Sequence, residues 1–132
     1  MALDPGTRRI GVAVSNSGRT MAFPRECILR EGEWISILER LVREEEVREI
    51  LVGRPIALSG RETTSTAMAA DFLEEIRSAM PDIEFVVVDE RLTTASAAKQ
   101  MASAGKSQKA QRKDIDSAAA VVLLQGVLDA HP

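Results

Sequence analysis

The chain contains one cysteine, Cys27, and one histidine, His131. A single cysteine excludes an internal disulfide and a cysteine-based metal cluster. A single histidine argues against a histidine-based catalytic triad and against a metal site built from several histidines. If the protein is an enzyme, its chemistry must therefore come from carboxylates, hydroxyls, lysine or arginine.

Long apolar runs and aromatic side chains are also scarce. The longest apolar run, from Ala118 to Leu124, is far shorter than the roughly 20 residues that a membrane span needs, and no basic-then-apolar export segment opens the sequence. We therefore expect a cytoplasmic protein with no membrane partner. The three phenylalanines and one tryptophan are not interleaved with basic residues, so no base-stacking surface is predicted. The length of 132 residues predicts one domain over residues 1–132.

Charge is nearly balanced, because 17 basic and 20 acidic residues give a formal net charge of −3. The total alone does not indicate a nucleic-acid-binding protein. The basic residues are nevertheless clustered, since four of them fall between positions 106 and 113 with no acid among them: Lys106, Lys109, Arg112 and Lys113. We interpret this segment as a basic loop.

Hydrophobic periodicity predicts strands that alternate with helices. Strands are expected up to position 4 and at 10–15, 21–29, 50–52 and 85–88, the last buried on both faces. Helices are expected at 33–46, around 68–79, from Thr93 or Thr94 to Gly105, and from Asp114 or Asp116 to about Ala130. Pro24 indicates an edge strand or a bulge. This order predicts an α/β fold, in which a parallel sheet follows an antiparallel hairpin and helices cover both faces.

Acidic residues stand at three strand or helix ends: Asp4, the pair Asp89 and Glu90, and the pair Asp114 and Asp116. Taken singly, each position also fits a tight turn, a solvated ion pair or a helix cap. Clustered carboxylates resist ionising beside one another, and a hard divalent cation such as magnesium or manganese removes that conflict. Two such ions roughly 4 Å apart can hold a phosphodiester and activate water. The sequence thus favours metal-dependent hydrolysis.

Four segments resemble, in order and spacing, the YqgF/RuvX family of Holliday-junction-resolvase-like proteins, whose members are described as nucleases of precursor 16S rRNA. They are Leu3 to Ser15, Val52 to Pro55, Asp89 to Thr94, and Asp114 to Ala119. The resemblance covers essentially the whole chain. It implies an RNase H-like fold with a five-stranded mixed sheet flanked by helices. It also implies a bacterial cytoplasmic nuclease that hydrolyses phosphodiester bonds in 5′-end processing of precursor 16S rRNA.

The same resemblance implies the site. It places the catalytic and metal-binding carboxylates at Asp4, Glu90 and Asp116, with Asp89 and Asp114 in reserve. Asp4 would bridge two magnesium or manganese ions, and the other two carboxylates would each complete one coordination shell. Phosphate contacts are expected from six residues: Thr7, Arg8, Arg91, Lys109, Arg112 and Lys113.

Three departures from the family pattern keep alternatives open. Few residues precede Asp4, so a short first strand is expected. Arg54 and the segment 56–60 differ from the usual pattern, and the strand that ends at Val52 lacks the acid found in junction resolvases. A nuclease of branched DNA and a non-catalytic RNA- or ribosome-binding module therefore remain alternatives. We expect a monomer or a homodimer.

Overall fold

The computed structural model describes residues 1–6, 8–54, 64–89 and 108–130, except for the side chains of 64–66 and 108–116. Its strands and helices are β1 (Ala2–Pro5), β2 (Arg9–Ser15), β3 (Ala22–Leu29), α1 (Trp34–Glu44), β4 (Glu49–Arg54), α2 (Thr64–Ala79), β5 (Glu84–Asp89) and α3 (Gln108–Ala130). The predicted helix between Thr93 or Thr94 and Gly105 lies outside the described residues.

The five strands form one mixed sheet in the order β3-β2-β1-β4-β5. The neighbours β1 and β2 are antiparallel, as are β2 and β3, whereas β1 is parallel to β4 and β4 to β5. This arrangement confirms the predicted α/β, RNase H-like fold with its antiparallel N-terminal hairpin. The short strand β1 is central, and it is paired along both sides.

The hairpin between β2 and β3 closes through the side chain of Asn16. Its Oδ1 atom accepts hydrogen bonds from the backbone N–H groups of Thr20 (2.8 Å) and Met21 (3.1 Å). Such side-chain-to-backbone bonds are why asparagine is favoured in turns. The strand register shifts between Ile10 and Val12, and β3 is an edge strand that contains Pro24. The edge position that Pro24 indicates is therefore confirmed, whereas the register shift lies between positions 25 and 28 of β3 and not at Pro24, which pairs with Ala13.

Helices cover both faces of the sheet, because side chains alternate between the faces along each strand. On one face, Leu3, Val12 and Val52 pack in a core with residues of α1 and α2. Trp34 of α1 and Phe72 of α2 stack within this core, with ring centroids 5.5 Å apart. On the other face, α3 packs against strand residues that include Ala2, Ala13 and Leu51.

The prediction that the strand at 85–88 is buried on both faces is wrong. The strand β5 lies at the edge of the sheet, and Val86 and Val87 are 37% and 44% exposed. Phe85 packs against the α1–α2 core, and Val88 packs against the α3 core. A continuous apolar run predicts a strand, but it does not specify the position of that strand in the sheet.

The predicted start of the last helix is also wrong. The helix α3 begins at Gln108 rather than at Asp114 or Asp116, so Lys109, Arg112 and Lys113 lie in a helix and not in a basic loop. Glutamine, lysine, alanine and arginine all have high helix propensity, and no glycine or proline interrupts them between positions 108 and 113. The helix therefore continues through the aspartates that could have capped it. Within the described ranges, no helix combines the length and the hydropathy that a membrane span requires.

Candidate functional site

Asp4 occupies the best-defined position among the predicted acidic residues. It is the next-to-last residue of β1, pairs with Gly11 of β2, and is 8% exposed. By strand alternation it shares a face with Ala2, which packs against α3. Ligands bind outside the carboxyl ends of parallel strands, and Asp4 stands at that end of β1. The central strand therefore places a buried carboxylate at the edge where ligand chemistry is expected.

The turn after Asp4 has a conformation that requires glycine. The N–H group of Gly6 donates to the carbonyl oxygen of Arg9 (2.8 Å). A Cβ atom at position 6 would lie 2.8 Å from that same oxygen, closer than real Cβ contacts. Arg8 is exposed at the far side of the turn, as a phosphate-contacting residue must be. Thr7 lies outside the described residues.

Arg30 contacts this turn from the end of β3, a contact that the sequence analysis did not predict. Its Nη1 atom donates to the carbonyl oxygen of Gly6 (3.2 Å), and its backbone N–H donates to the carbonyl oxygen of Arg8 (2.8 Å). The only indication in the sequence is that arginines are frequent in the first quarter of the chain.

Ser117 is the second buried polar residue of the described chain, with no exposed surface. Its Oγ atom donates to the carbonyl oxygen of Arg25 (2.6 Å) and accepts from the N–H group of Val12 (3.3 Å). Both partners flank the register shift between β2 and β3, so the hydroxyl pairs with backbone groups at this bulge. Val12 follows Gly11, the partner of Asp4. Ser117 thus fastens α3 beside the Asp4 position.

A second side chain fastens α3 to the same hairpin, two helical turns further along. The Oε1 atom of Gln125 accepts from the N–H group of Ala22 (2.9 Å), and its Nε2 atom donates to the carbonyl oxygen of Thr20 (3.0 Å). The helix is therefore held in a defined register over β2 and β3. Its N-terminal half carries the predicted acidic and basic residues.

Asp89, a reserve candidate, is the last residue of β5 and is partly buried. Asp89 is four positions after Phe85, so strand alternation puts both on the α1–α2 face, opposite Asp4. Glu90 and Arg91 lie outside the described residues, as do the side chains of five residues of α3: Lys109, Arg112, Lys113, Asp114 and Asp116. Among the described side chains, no group of three or more acidic, histidine or cysteine residues forms a ready metal site.

A cavity of about 790 Å³ lies at the opposite end of the sheet. Its lining includes Met1 and Glu49 at the amino ends of β1 and β4, and Leu124 of α3. The amino group of Met1 donates to the carbonyl oxygen of Glu49 (3.1 Å), and burial lowers the pKa of this amino group. The cavity does not include Asp4. It is therefore separate from the acidic site.

A family model and several known proteins match the chain over nearly its whole length. The family model described as RuvX, Holliday junction resolvase, matches residues 1–130. A protein of Corynebacterium jeikeium (strain K411) is 40% identical over 131 residues, which cover 98% of this chain and 84% of the relative. A protein of Leifsonia xyli subsp. xyli (strain CTCB07) is 41% identical over 133 residues, or 99% of this chain and 85% of the relative.

A third relative, from Mycobacterium ulcerans (strain Agy99), is 41% identical over 131 residues, or 98% of this chain and 77% of the relative. All three relatives carry the name "putative pre-16S rRNA nuclease". The matched segment includes Asp4 and the whole of the described sheet.

Proposed function

Because the chain belongs to the RuvX family, we propose that it is a metal-dependent nuclease that hydrolyses phosphodiester bonds in 5′-end processing of precursor 16S rRNA. The names of its relatives support the substrate. The observation that carries the proposal is the burial of Asp4, an acid 8% exposed at the carboxyl end of a central strand. Ligands bind outside the carboxyl ends of parallel strands, and carboxylate oxygens are the ligands that hard divalent cations prefer.

The proposed ligands fit magnesium or manganese, because hard divalent cations prefer carboxylate oxygens. We assign the metal-binding and catalytic roles to Asp4, Glu90 and Asp116. When bound, a pair of such cations supplies an activated water and stabilises the leaving oxygen. The task of the protein is to hold the carboxylates in place. Asp4 pairs with Gly11 of β2, and the two residues before it, Ala2 and Leu3, also pair with β4.

Strand alternation favours Glu90 over Asp89. Asp89 falls on the α1–α2 face, whereas Asp4 falls on the α3 face. Of the two acids predicted at the end of this strand, Glu90 is the one that strand alternation does not disfavour. The reserve candidate Asp89 is therefore the weaker choice.

Helical spacing favours Asp116 over Asp114. Positions 116, 120 and 123 follow the i, i+4, i+7 spacing that places residues on one helix face. Ala120 and Leu123 are 0% and 1% exposed and pack in the cluster that contains Ala2 of β1. The positions at the same spacing from Asp114 are Ala118 and Val121, which are only partly buried. Position 116 thus continues the face that meets β1.

The basic residues of α3 extend the same helical face toward its N-terminus. The helical spacing of three or four residues that includes Ala120 continues backward through five positions of α3: 117, 116, 113, 112 and 109. Lys109 and Asp116 are about 10 Å apart along the helix axis, at 1.5 Å per residue. We propose that Lys109, Arg112 and Lys113 contact the phosphates next to the cleaved bond. Together with Arg8, Thr7 and Arg91 they would position the backbone without reading its sequence.

Cleavage of end-labelled precursor 16S rRNA by the wild-type protein and by Asp4→Asn tests the proposal. We expect magnesium- or manganese-dependent cleavage, slowed on the order of 100-fold in the variant, as for loss of a group that stabilises transition-state charge. Asp82→Asn is the control, because Asp82 is exposed in the turn between α2 and β5. Equal rates for Asp4→Asn and wild type would refute the assignment. RNA binding with no cleavage under any metal would support a binding module instead.

The description of the family as a Holliday junction resolvase favours branched DNA as a second candidate substrate. Phosphate contacts do not distinguish RNA from DNA, whereas contacts to the 2′-hydroxyl do. Competition between precursor rRNA and a four-way DNA junction of matched length decides between them. Preferential inhibition by the junction would favour the DNA substrate.

A further inference from the structure

The side chain of Arg30 joins the turn after Asp4 to the hydrophobic core. Arg30 follows the last residue of β3, and its side chain is 16% exposed. Its Nη1 atom donates to the carbonyl oxygen of Gly6 (3.2 Å), and its backbone N–H donates to the carbonyl oxygen of Arg8 (2.8 Å). The turn itself is closed by the bond from Gly6 N–H to the Arg9 carbonyl oxygen (2.8 Å). Arg30 is thus tied to the backbone that leaves the Asp4 strand.

The other contacts of Arg30 fix the orientation of its guanidinium group. The guanidinium carbon lies 5.8 Å from the ring centroid of Trp34 and 5.3 Å from that of Phe72. These two rings stack on each other and belong to the buried core under β1 and β2. A carboxylate oxygen of Glu75 lies 3.9 Å from Nη2. A planar guanidinium can stack on rings and donate hydrogen bonds in its own plane at the same time, which a lysine ammonium cannot do.

We propose that Arg30 is a positioning residue of the nuclease reaction: it holds the backbone at Gly6 and at Arg8, and through that backbone it fixes the position of the Asp4 carboxylate. The inference rests on the proposed function of Asp4. Catalytic groups must be held closely, since a misplacement of 1 Å can cost roughly 100-fold in rate. The contacts to Gly6, Glu75 and the two rings already engage the guanidinium, so positioning fits it better than direct binding of phosphate.

The variant Arg30→Lys tests this role, because it keeps the positive charge and loses the planar, stacked donor. We expect kcat for precursor 16S rRNA to fall roughly tenfold or more, with KM within about twofold of wild type. The hydrogen-exchange rate of the Gly6 amide reports how stably the turn is closed, and this measurement does not depend on activity. The rate should increase by roughly tenfold, the contribution of one hydrogen bond from a charged donor.

Arg25→Lys is the matched control, because Arg25 lies on the same edge strand and its Nε atom pairs with Glu45 at 2.8 Å, away from the turn. It should leave kcat and the Gly6 exchange rate unchanged. Arg30→Met is the second variant, for use if Arg30→Lys does not fold, since it keeps an unbranched apolar stem beside Trp34 and Phe72 and removes the guanidinium group with its donors and its charge. All rates are compared at a temperature where circular dichroism shows each variant folded.

The outcomes separate this inference from the function on which it rests. Wild-type kcat in Arg30→Lys, or an equal loss in Arg25→Lys, would overturn the positioning role while the effect of Asp4→Asn stands. A rise in KM with unchanged kcat would also overturn it, because that result indicates direct binding of substrate. If the wild-type protein does not cleave RNA or DNA with any divalent metal, the proposed function fails and the inference fails with it.

Discussion

Replacing Ser117 with alanine should destabilise the protein far more than the loss of one small hydroxyl suggests. The hydroxyl has no exposed surface, and it pairs with the Val12 N–H group and the Arg25 carbonyl oxygen. Alanine leaves both backbone groups without this partner, and each buried unpaired group costs about 1–3 kcal/mol. Because Arg25 is only partly buried and its carbonyl can gain a water, we expect the free energy of unfolding to fall by about 2–4 kcal/mol.

Thermal unfolding monitored by circular dichroism measures this effect. An unfolding entropy of about 2.1 cal/mol/K per residue, applied to 132 residues, converts the loss into a decrease in Tm of about 7–14 °C. Ser78→Ala is the control, because Ser78 is exposed on α2 and alanine is the better helix former. A Ser117→Ala loss below about 0.5 kcal/mol, the range of ordinary surface substitutions, would refute the reasoning that this hydroxyl fastens α3 to the bulge.

Two further predictions concern the turn after Asp4 and the amino terminus. Gly6→Ala should disrupt the turn and lower the cleavage rate, because its Cβ atom would lie 2.8 Å from the Arg9 carbonyl oxygen. Gly126→Ala should instead raise the free energy of unfolding by up to about 1 kcal/mol, because a Cβ atom there meets open space in α3. Equal behaviour of the two variants in urea unfolding and cleavage assays would contradict this prediction. Burial lowers the pKa of the Met1 amino group below 8.0, so the unfolded chain binds this proton more readily than the folded chain. The free energy of unfolding should therefore decrease as the pH falls from 8.0 through the folded-state pKa, and N-terminal acetylation should remove that part of the pH dependence measured by urea unfolding.

Local patterns in the sequence predicted most of the fold. The helical spacing of five apolar residues predicts α1: Trp34, Ile37, Leu38, Leu41 and Val42. Trp34, Leu38 and Val42 are buried, Leu41 is partly buried, and Ile37 is 47% exposed. The resemblance to the RuvX family implied that Asp4 ends the first strand, and β1 ends one residue later, at Pro5. These features depend on neighbours within a few residues, which is the range that periodicity reports.

The features that the sequence analysis missed depend on residues far apart in the chain. The hydroxyl of Ser117 meets Val12 across 105 positions, and Arg30 meets Gly6 across 24. No local pattern distinguishes a buried serine that binds backbone at a bulge from a serine in a helix cap. Such contacts follow from the strand order, which must be known first.

The two wrong predictions have different physical causes. The exposure of Val86 and Val87 depends on the edge position of β5, which β-propensity does not specify. The early start of α3 at Gln108 reflects a competition in which good helix formers prevailed over the capping preference of the aspartates. The predicted single domain and the assigned site residues stay predictions.

Titration of the protein with manganese, followed by calorimetry, tests most directly whether Asp4, Glu90 and Asp116 form one metal site. Binding needs no substrate, so the result does not depend on the choice between RNA and DNA. We predict that each of Asp4→Asn, Glu90→Gln and Asp116→Asn weakens manganese binding by roughly tenfold or more, while Asp82→Asn binds as the wild-type protein does. Wild-type manganese affinity in Asp4→Asn would contradict the central claim that this buried carboxylate is a metal ligand.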